Sequence, residues 1–440
     1  MNISGLSFDA LPPIHIPFRY FLTAPLFIIA CAIYLLFYGD WMWITRWHPS
    51  TILVTHGFTL GFITMIMMGA IIQILPVVGA GGIKHVSIIG KTCHLLLTLG
   101  TIALMLALGG VEFTSRQWLH IIALVALTLA FTLYLVSIAL TLFNRLSRGE
   151  TIQGIHLALA ALLIVVFLGG ALFARRLNIN IFPDISTLTN LHLMWGMGWV
   201  SLLIISVSFQ VIPMFHVAPS FPKKLMKILP VLLFLSLGSV FFIHDSALGL
   251  YIAGAVILIL HCIFAYSLLR TLQQRKRKIA DTTVKFWQLS AISLFLITGY
   301  YLLPNEMLPT AIQARSSLLI GAVFIYFFIV SILLGMLLKI MPFLSYSHLQ
   351  QKCLINFEAM ALLPNMHDFI NKKQGLILFI LHLLTGISLI ITILSPSFNP
   401  VFASMLLVEF LWLGFLMLKT CRRYFVSNQA IENLLTSSKP

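Results

Sequence analysis

Twelve runs of apolar residues, most of them about twenty residues long, constrain the fold of this chain more than any other feature. They occupy residues 18–38, 52–75, 92–109, 118–142, 152–173, 189–212, 228–243, 248–270, 286–303, 317–338, 374–394 and 401–418. A helix of about twenty apolar residues crosses the hydrocarbon core of a bilayer, which is roughly 30 Å thick. Because 60% of the residues are hydrophobic and only 9% are charged, no soluble domain fits between the runs. The sequence predicts an all-α integral membrane protein with about twelve transmembrane helices, and residues 1–440 form a single polytopic membrane domain.

The positions of the basic residues predict the orientation of this domain. If the N-terminus is cytoplasmic, almost every lysine and arginine falls on the cytoplasmic side, including the basic run at residues 275–278. The opposite side keeps only Arg46, Arg116, Arg175, Arg176 and Arg315. Positive residues concentrate on the cytoplasmic side of membrane proteins, so we predict that both termini are cytoplasmic. We interpret the net charge of +15 as an orientation and lipid-headgroup signal, and nucleic acid is not expected as a partner.

A frame of polar and small residues occurs in both the second and the sixth run. In each, a histidine begins the run, a glycine with an aromatic neighbour follows, and a glutamine lies three residues before a proline. The first copy extends from His56 to Pro76 and the second from His192 to Pro213, with the second histidine displaced by one residue. Two copies in equivalent settings indicate an internal repeat.

A fainter third copy lies in the tenth run. It ends at Pro342, again with a polar residue three positions earlier, but Gly321 and Ala322 occupy the places of the histidines. We therefore predict a threefold pseudo-repeat of four helices in which the second, sixth and tenth helices are equivalent. The three repeats cover about residues 18–142, 152–270 and 286–418.

The two histidines of the repeated frame are the main candidates for a functional site. A polar ring within hydrocarbon is costly unless it has a partner, so an intramembrane histidine is a functional candidate. For any single histidine the alternative is a bond to a backbone carbonyl of a neighbouring helix. His56 and His192, however, should lie at similar depth in the outer half of the membrane, on equivalent helices. Two imidazoles approaching from facing helices are the axial ligands that a haem iron uses.

Other residues of the outer half are assigned supporting roles. His120 begins the fourth helix at comparable depth and is the reserve ligand. Arg175 and Arg176 end the fifth helix, where they either pair with haem propionates or simply lie at the interface. The small residues near the two histidines would let a flat macrocycle approach the backbone, although glycine also packs membrane helices. These are Gly57, Gly61, Gly196 and Gly198.

These features resemble the catalytic subunit I of the haem–copper oxidases, and most nearly its nitric-oxide-reductase-like branch. That family has twelve helices, cytoplasmic termini, a threefold pseudo-repeat and histidine ligands near the outer ends of helices 2, 6 and 10. The segment from His56 through Gly61-Phe62 and Gly69-Ala70 to Pro76 is similar to the family's tenth-helix pattern. Gly198-Trp199 is similar to part of it as well. The resemblance implies an oxidase subunit I-like fold.

The chain departs from the family at the positions that bind copper and a second haem. The seventh helix, here residues 229–243, lacks the adjacent histidines that help to hold copper, and the tenth helix lacks the family's His-x-His. The resemblance therefore implies a divergent member with one haem site. Copper is not expected, and neither is the reduction of oxygen to water.

Three functions remain open at this stage. The first is a haem-binding protein of the bacterial inner membrane, with a b-type haem, that transfers electrons or handles a diatomic gas such as oxygen or nitric oxide. Its expected partners are the lipid bilayer, an electron-donor protein or quinol, and other membrane subunits. The second is a membrane transporter or metal-handling permease in which the histidines bind a metal ion. The third is an assembly protein that kept the fold without a cofactor, and whether the chain is an enzyme stays open.

Overall fold

The computed structural model describes residues 12–437 except 79–80, 110–116, 144–148, 177–178, 180–183, 277, 279–280 and 355. These residues form twelve long helices and no strand. The helices are α1 (His15–Tyr38), α2 (Pro49–Val77), α3 (Val86–Leu108), α4 (Gln117–Phe143), α5 (Glu150–Arg176), α6 (Ile185–His216), α7 (Lys223–Ile243), α8 (Ala247–Gln273), α9 (Thr282–Leu302), α10 (Ser316–Cys353), α11 (Lys372–Leu394) and α12 (Asn399–Ser437). Each predicted apolar run lies almost wholly within one of them.

Eleven of these helices are long and apolar enough to cross a membrane. The remaining one, α9, is less apolar, but its 21 residues correspond to about 32 Å of helix. It packs against α8 and α10 and buries Phe286 and Trp287 among them. An all-α protein with many membrane-spanning helices, as predicted from the apolar runs, is therefore confirmed.

The three helices that carry the repeated frame are the most deeply buried. In the most apolar stretches of α2, α6 and α10, 78%, 72% and 61% of the residues are buried, against 28–50% for the other spans. A membrane helix that faces lipid on one side can bury only part of its surface against protein. These three helices therefore form the centre of the bundle, and the others surround them.

The central helices meet around an apolar pocket of about 100 Å³. The three helices contribute residues at equivalent positions to its walls. Ile66, Leu203 and Ile332, for example, each lie ten residues before the proline of their helix. Four further positions recur in the same way: Met67, Ile204 and Leu333; Ala70, Val207 and Met336; Ile71, Ser208 and Leu337; Ile74, Val211 and Ile340. The residues directly after the prolines, Val77, Met214 and Phe343, complete the set.

Two of the central helices contain π-helical segments, which are rare and often occur at functional sites. In α2 the segment is Gly57–Thr64 and begins directly after His56. In α10 it is Phe324–Val330. Both segments end twelve residues before the proline of their helix, whereas α6 is α-helical from Ile185 to His216.

The first and last helices close the ring around the centre. Trp43, just after α1, donates its indole N–H to Oδ1 of Asn399 at 3.0 Å, and Nδ2 of Asn399 donates to the Leu35 carbonyl at 2.8 Å. A Cβ on Gly39 would lie 2.3 Å from the Asn399 amide. Only glycine therefore lets the end of α1 approach α12 this closely.

Two helices continue well past their predicted apolar runs. The predicted runs end at residues 338 and 418, but α10 continues to Cys353 and α12 to Ser437. The extensions pack against each other, and Lys352 donates to Glu432 at 2.5 Å and to Asn428 at 2.7 Å. Hydropathy marks only the part of a helix that lies in the hydrocarbon, so polar extensions held by such pairs escape it.

Candidate haem site

The structure brings His56 of α2 and His192 of α6 together. Their ring centres are 6.3 Å apart and the ring planes differ by only 18°. An iron held between two opposed imidazoles would place the ring centres about 6 Å apart, because each metal–nitrogen bond is about 2 Å long. The two residues are displaced by one position in the repeated frame, but this displacement does not separate their rings.

One nitrogen of each ring remains available for a ligand. Nδ1 of His56 lies 2.8 Å from the Ile52 carbonyl, an arrangement in which Nδ1–H donates and Nε2 keeps its lone pair. Metal-binding histidines are usually oriented by such a bond from the other ring nitrogen. Nε2 of His56 and Nε2 of His192 have no hydrogen-bond partner among the described residues. Neither atom is among the fully buried atoms that lack a partner.

His192 is held mainly by packing against α5. Its Cε1 and Nδ1 lie 3.2 and 3.7 Å from where a Cβ on Gly169 would be. The Val165 carbonyl is also near the ring, yet no hydrogen bond of normal geometry joins them, and Nδ1 is buried without a partner among the described residues. The edge of the His192 ring that carries Nδ1 therefore faces α5, and the opposite edge of the ring faces away from α5.

Open space adjoins the imidazole pair. Both rings are only half-buried, so part of each ring is not packed against protein. Gly196 lies one turn after His192 on the same face of α6, and a Cβ there would meet nothing within 4 Å. The pair therefore has free volume beside it.

Three of the four glycines predicted to face a macrocycle pack helices instead. A Cβ on Gly57 would lie 2.2 Å from Sγ of Cys31, and one on Gly61 would lie 2.4 Å from the Phe27 ring. A Cβ on Gly198 would lie 2.3 Å from Leu237. For these three residues the alternative of helix packing holds, because they lie on the faces of α2 and α6 that contact α1 and α7. Gly196 alone of the four faces open space.

The predicted supporting residues lie around the C-terminal end of α5 and the N-terminal end of α6. His120 is buried, and its ring centre is 5.9 Å from that of Phe173, one turn after Gly169 on α5. The pKa of Asp184 at the start of α6 lies below its usual value, chiefly through hydrogen bonds from Thr187 and Ser186 and also through the charge of Arg175. Arg175 is thus within electrostatic reach of the α6 N-terminus. The Arg176 side chain lies outside the described part of the chain.

Arg46 is a further candidate that the sequence did not single out. Its Nη2 donates at 2.7 Å to Oδ1 of Asn190, two residues before His192. Burial lowers the pKa of its guanidinium, and no ion pair of the described residues includes it. A partly buried arginine with only a neutral partner is suited to an anionic group such as a propionate.

A second buried polar cluster joins α10, α11 and α12, and sequence reasoning missed it. Glu409 of α12 accepts from Nδ1 of His382 at 2.8 Å and from the hydroxyl of Tyr326. Nε2 of His382 lies 2.7 Å from Oγ of Ser331, and its ring stacks on Tyr326 at 4.4 Å. All four side chains are at most 2% exposed. Buried polar side chains are normally hydrogen-bonded in this way.

Lys339, three residues before the proline of α10, forms an ion pair with the start of α9. Its Nζ lies 2.6 Å from a carboxylate oxygen of Asp281, just before α9. Burial raises the pKa of Asp281, and the hydrogen bond and charge of Lys339 outweigh this, so that the pKa lies below its usual value. The lysine therefore ties α10 to α9 instead of extending to the membrane surface.

The contact between His192 and Gly169 of α5 allows a test of the position of the His192 ring. Gly169→Ala would place a methyl group 3.2 Å from the ring, so the ring must shift by a few tenths of an ångström. If the imidazole pair holds a haem, we expect haem affinity to fall roughly tenfold, as for other residues that orient a metal ligand. Haem titration of the purified variant measures this. Gly170→Ala, where a Cβ meets nothing within 4 Å, is the matched control, and equal affinities in the two variants would contradict this position.

Comparison with known proteins adds no relative to this picture. No protein-family model matches the chain, and no curated protein matches it. The resemblance to oxidase subunit I therefore stays a prediction from motifs. The functional argument rests on the geometry of the two imidazoles and their surroundings.

Proposed function

We propose that the chain is a haem-binding protein of the bacterial inner membrane, with an oxidase subunit I-like fold and both termini in the cytoplasm. His56 and His192 would hold a b-type haem through their imidazoles, and Arg46 and Arg175 would interact with its propionates. The observation that carries the proposal is the parallel imidazole pair, 6.3 Å between ring centres. A bound haem would supply a one-electron couple, which suits electron transfer or the handling of a diatomic gas.

The donor set favours haem over a bare metal ion. A zinc site normally has three or four protein ligands, whereas the macrocycle fills four positions of a haem iron and leaves two for the protein. Among the described residues, no group of three or more His, Cys, Asp or Glu side chains converges on one point. Two imidazoles without further donors therefore support the haem proposal more than the metal-handling permease.

The architecture supports the oxidase-like part of the proposal. The helices that carry the repeated frame are central, and their residues line one pocket at matching distances from Pro76, Pro213 and Pro342. Three equivalent helices around a common axis are what a threefold pseudo-repeat requires. This agreement depends on the positions of many residues and is independent of the two histidines.

Comparison of the equivalent helices also predicts which metal ligands the site lacks. Helix α7 contains no histidine, and Gly321 of α10 occupies the position that corresponds to His192. With only two imidazoles available, we expect the purified protein to contain a b-type haem but no copper in stoichiometric amount. We also expect no oxygen uptake from a reduced donor. A pyridine haemochrome assay, metal analysis and an oxygen electrode on one preparation test these expectations.

The outcomes of this experiment separate the candidate functions. Stoichiometric copper with steady oxygen uptake would contradict the proposed site. A colourless protein from haem-replete cells would instead favour the transporter or an assembly protein. A haem-containing, copper-free preparation would support the proposal.

A further inference from the structure

The pocket between α2, α6 and α10 is separate from the imidazole pair. Its first lining residue on α2, Ile66, follows His56 by ten residues, which corresponds to about 15 Å along a helix. The pocket therefore lies on the axis of the three central helices, towards their C-terminal ends. None of the residues assigned to the haem site lines it.

The walls of the pocket are almost entirely apolar. Apart from methionine, the lining side chains that carry a heteroatom are Gln73, Ser208 and Trp287. Oγ of Ser208 already donates to the Ile205 carbonyl at 2.7 Å. The indole N–H of Trp287 is buried without a hydrogen-bond partner among the described residues, although a buried tryptophan usually finds one. The pocket thus combines apolar walls with a few polar side chains, and among these the buried indole N–H of Trp287 has no acceptor in the described chain.

The size and polarity of the pocket limit what can occupy it. Its volume of about 100 Å³ is well below the roughly 300–1,000 Å³ of pockets for larger organic ligands. An ion would find no charged side chain in the walls, and a water molecule needs two to four polar partners. An apolar cavity of about 150 Å³ stays dry and takes up xenon or benzene.

From these features we infer that the pocket is a binding site for a small neutral molecule of the size of xenon or a diatomic gas. The unpartnered N–H of Trp287 favours an occupant with a weak acceptor atom. The site goes beyond the proposed haem function, because none of its walls depends on a bound haem.

Xenon is a suitable probe because its electron density and anomalous scattering locate it directly. In xenon-pressurised crystals of the full-length protein we expect xenon between Ala70, Val207 and Met336. Ala70 is the smallest side chain in the walls, so Ala70→Phe should fill the pocket and abolish xenon binding, and Ala70→Leu should reduce it. Ala160→Phe is the control, because Ala160 is exposed on the outside of α5 and should keep xenon binding intact.

The wild-type crystals alone can overturn the inference. Ordered water, a lipid chain or no xenon between the three helices would do so, even if the variants fail to fold. Xenon at an unchanged position in Ala70→Phe would also contradict the site. The position of xenon in the crystal is determined separately from any iron. A failure of the xenon inference can therefore be distinguished from a failure of the haem proposal.

Discussion

Replacing either His56 or His192 with alanine is expected to abolish the low-spin haem spectrum of the protein. If both imidazoles bind one iron, the loss of either leaves an open axial position or releases the haem. The double variant should be little worse than the worse single variant, because residues that act as one unit are strongly non-additive. Visible absorption spectra of the three purified variants measure this.

His261→Ala is the control for these variants. His261 is also buried within a helix, but it lies on α8 between Phe324 and Phe328, with ring centres 5.4 and 5.8 Å away. Its Nδ1 bonds to the Ile257 carbonyl at 2.7 Å. We expect its removal to leave the spectrum unchanged. An unchanged spectrum in His56→Ala or His192→Ala would transfer the ligand role to His120.

Replacing Glu409 with alanine is expected to destabilise the protein strongly. The variant leaves the buried Nδ1–H of His382 and the buried hydroxyl of Tyr326 without their acceptor. Each buried donor left without its acceptor typically costs about 1–3 kcal/mol. Glu409→Gln keeps an acceptor for His382 and should be less harmful. Thermal unfolding can be followed with a thiol-reactive dye, because Cys31, Cys93, Cys353 and Cys421 are buried in the folded protein.

Glu432→Ala on the same helix is the matched control. Glu432 pairs with Lys352 at 2.5 Å but is more than half exposed, and surface ion pairs contribute little to stability. Its removal should leave the unfolding temperature nearly unchanged. If Glu409→Ala unfolds at the same temperature as Glu432→Ala, the cluster does not stabilise the junction of α10, α11 and α12.

The sequence was most informative where a pattern recurs along the chain. Hydropathy located all twelve long helices of the described chain, because a membrane span needs a minimum apolar length. The repeated frame placed His56 and His192 on equivalent helices, and the structure brings their rings together. In both cases the signal is periodic and therefore visible without any knowledge of tertiary contacts.

The sequence was least informative about contacts between distant residues. Glu409 was recognisable as an intramembrane acid, but His382 and Tyr326 are 27 and 83 residues away from it, and no local pattern links them. The role of Gly57 and Gly61 stayed open between a macrocycle and helix packing for a related reason. A glycine permits close approach, but the sequence does not show whether the approaching group is a cofactor or a neighbouring helix such as α1.

The most direct test of the haem proposal is to locate iron in the protein by anomalous diffraction at the iron absorption edge. The proposal predicts a single iron between Nε2 of His56 and Nε2 of His192, with a macrocycle extending past Gly196 and carboxylates near Arg46 or Arg175. Iron bound elsewhere, or these two imidazoles in direct contact with each other in a haem-loaded crystal, would contradict it.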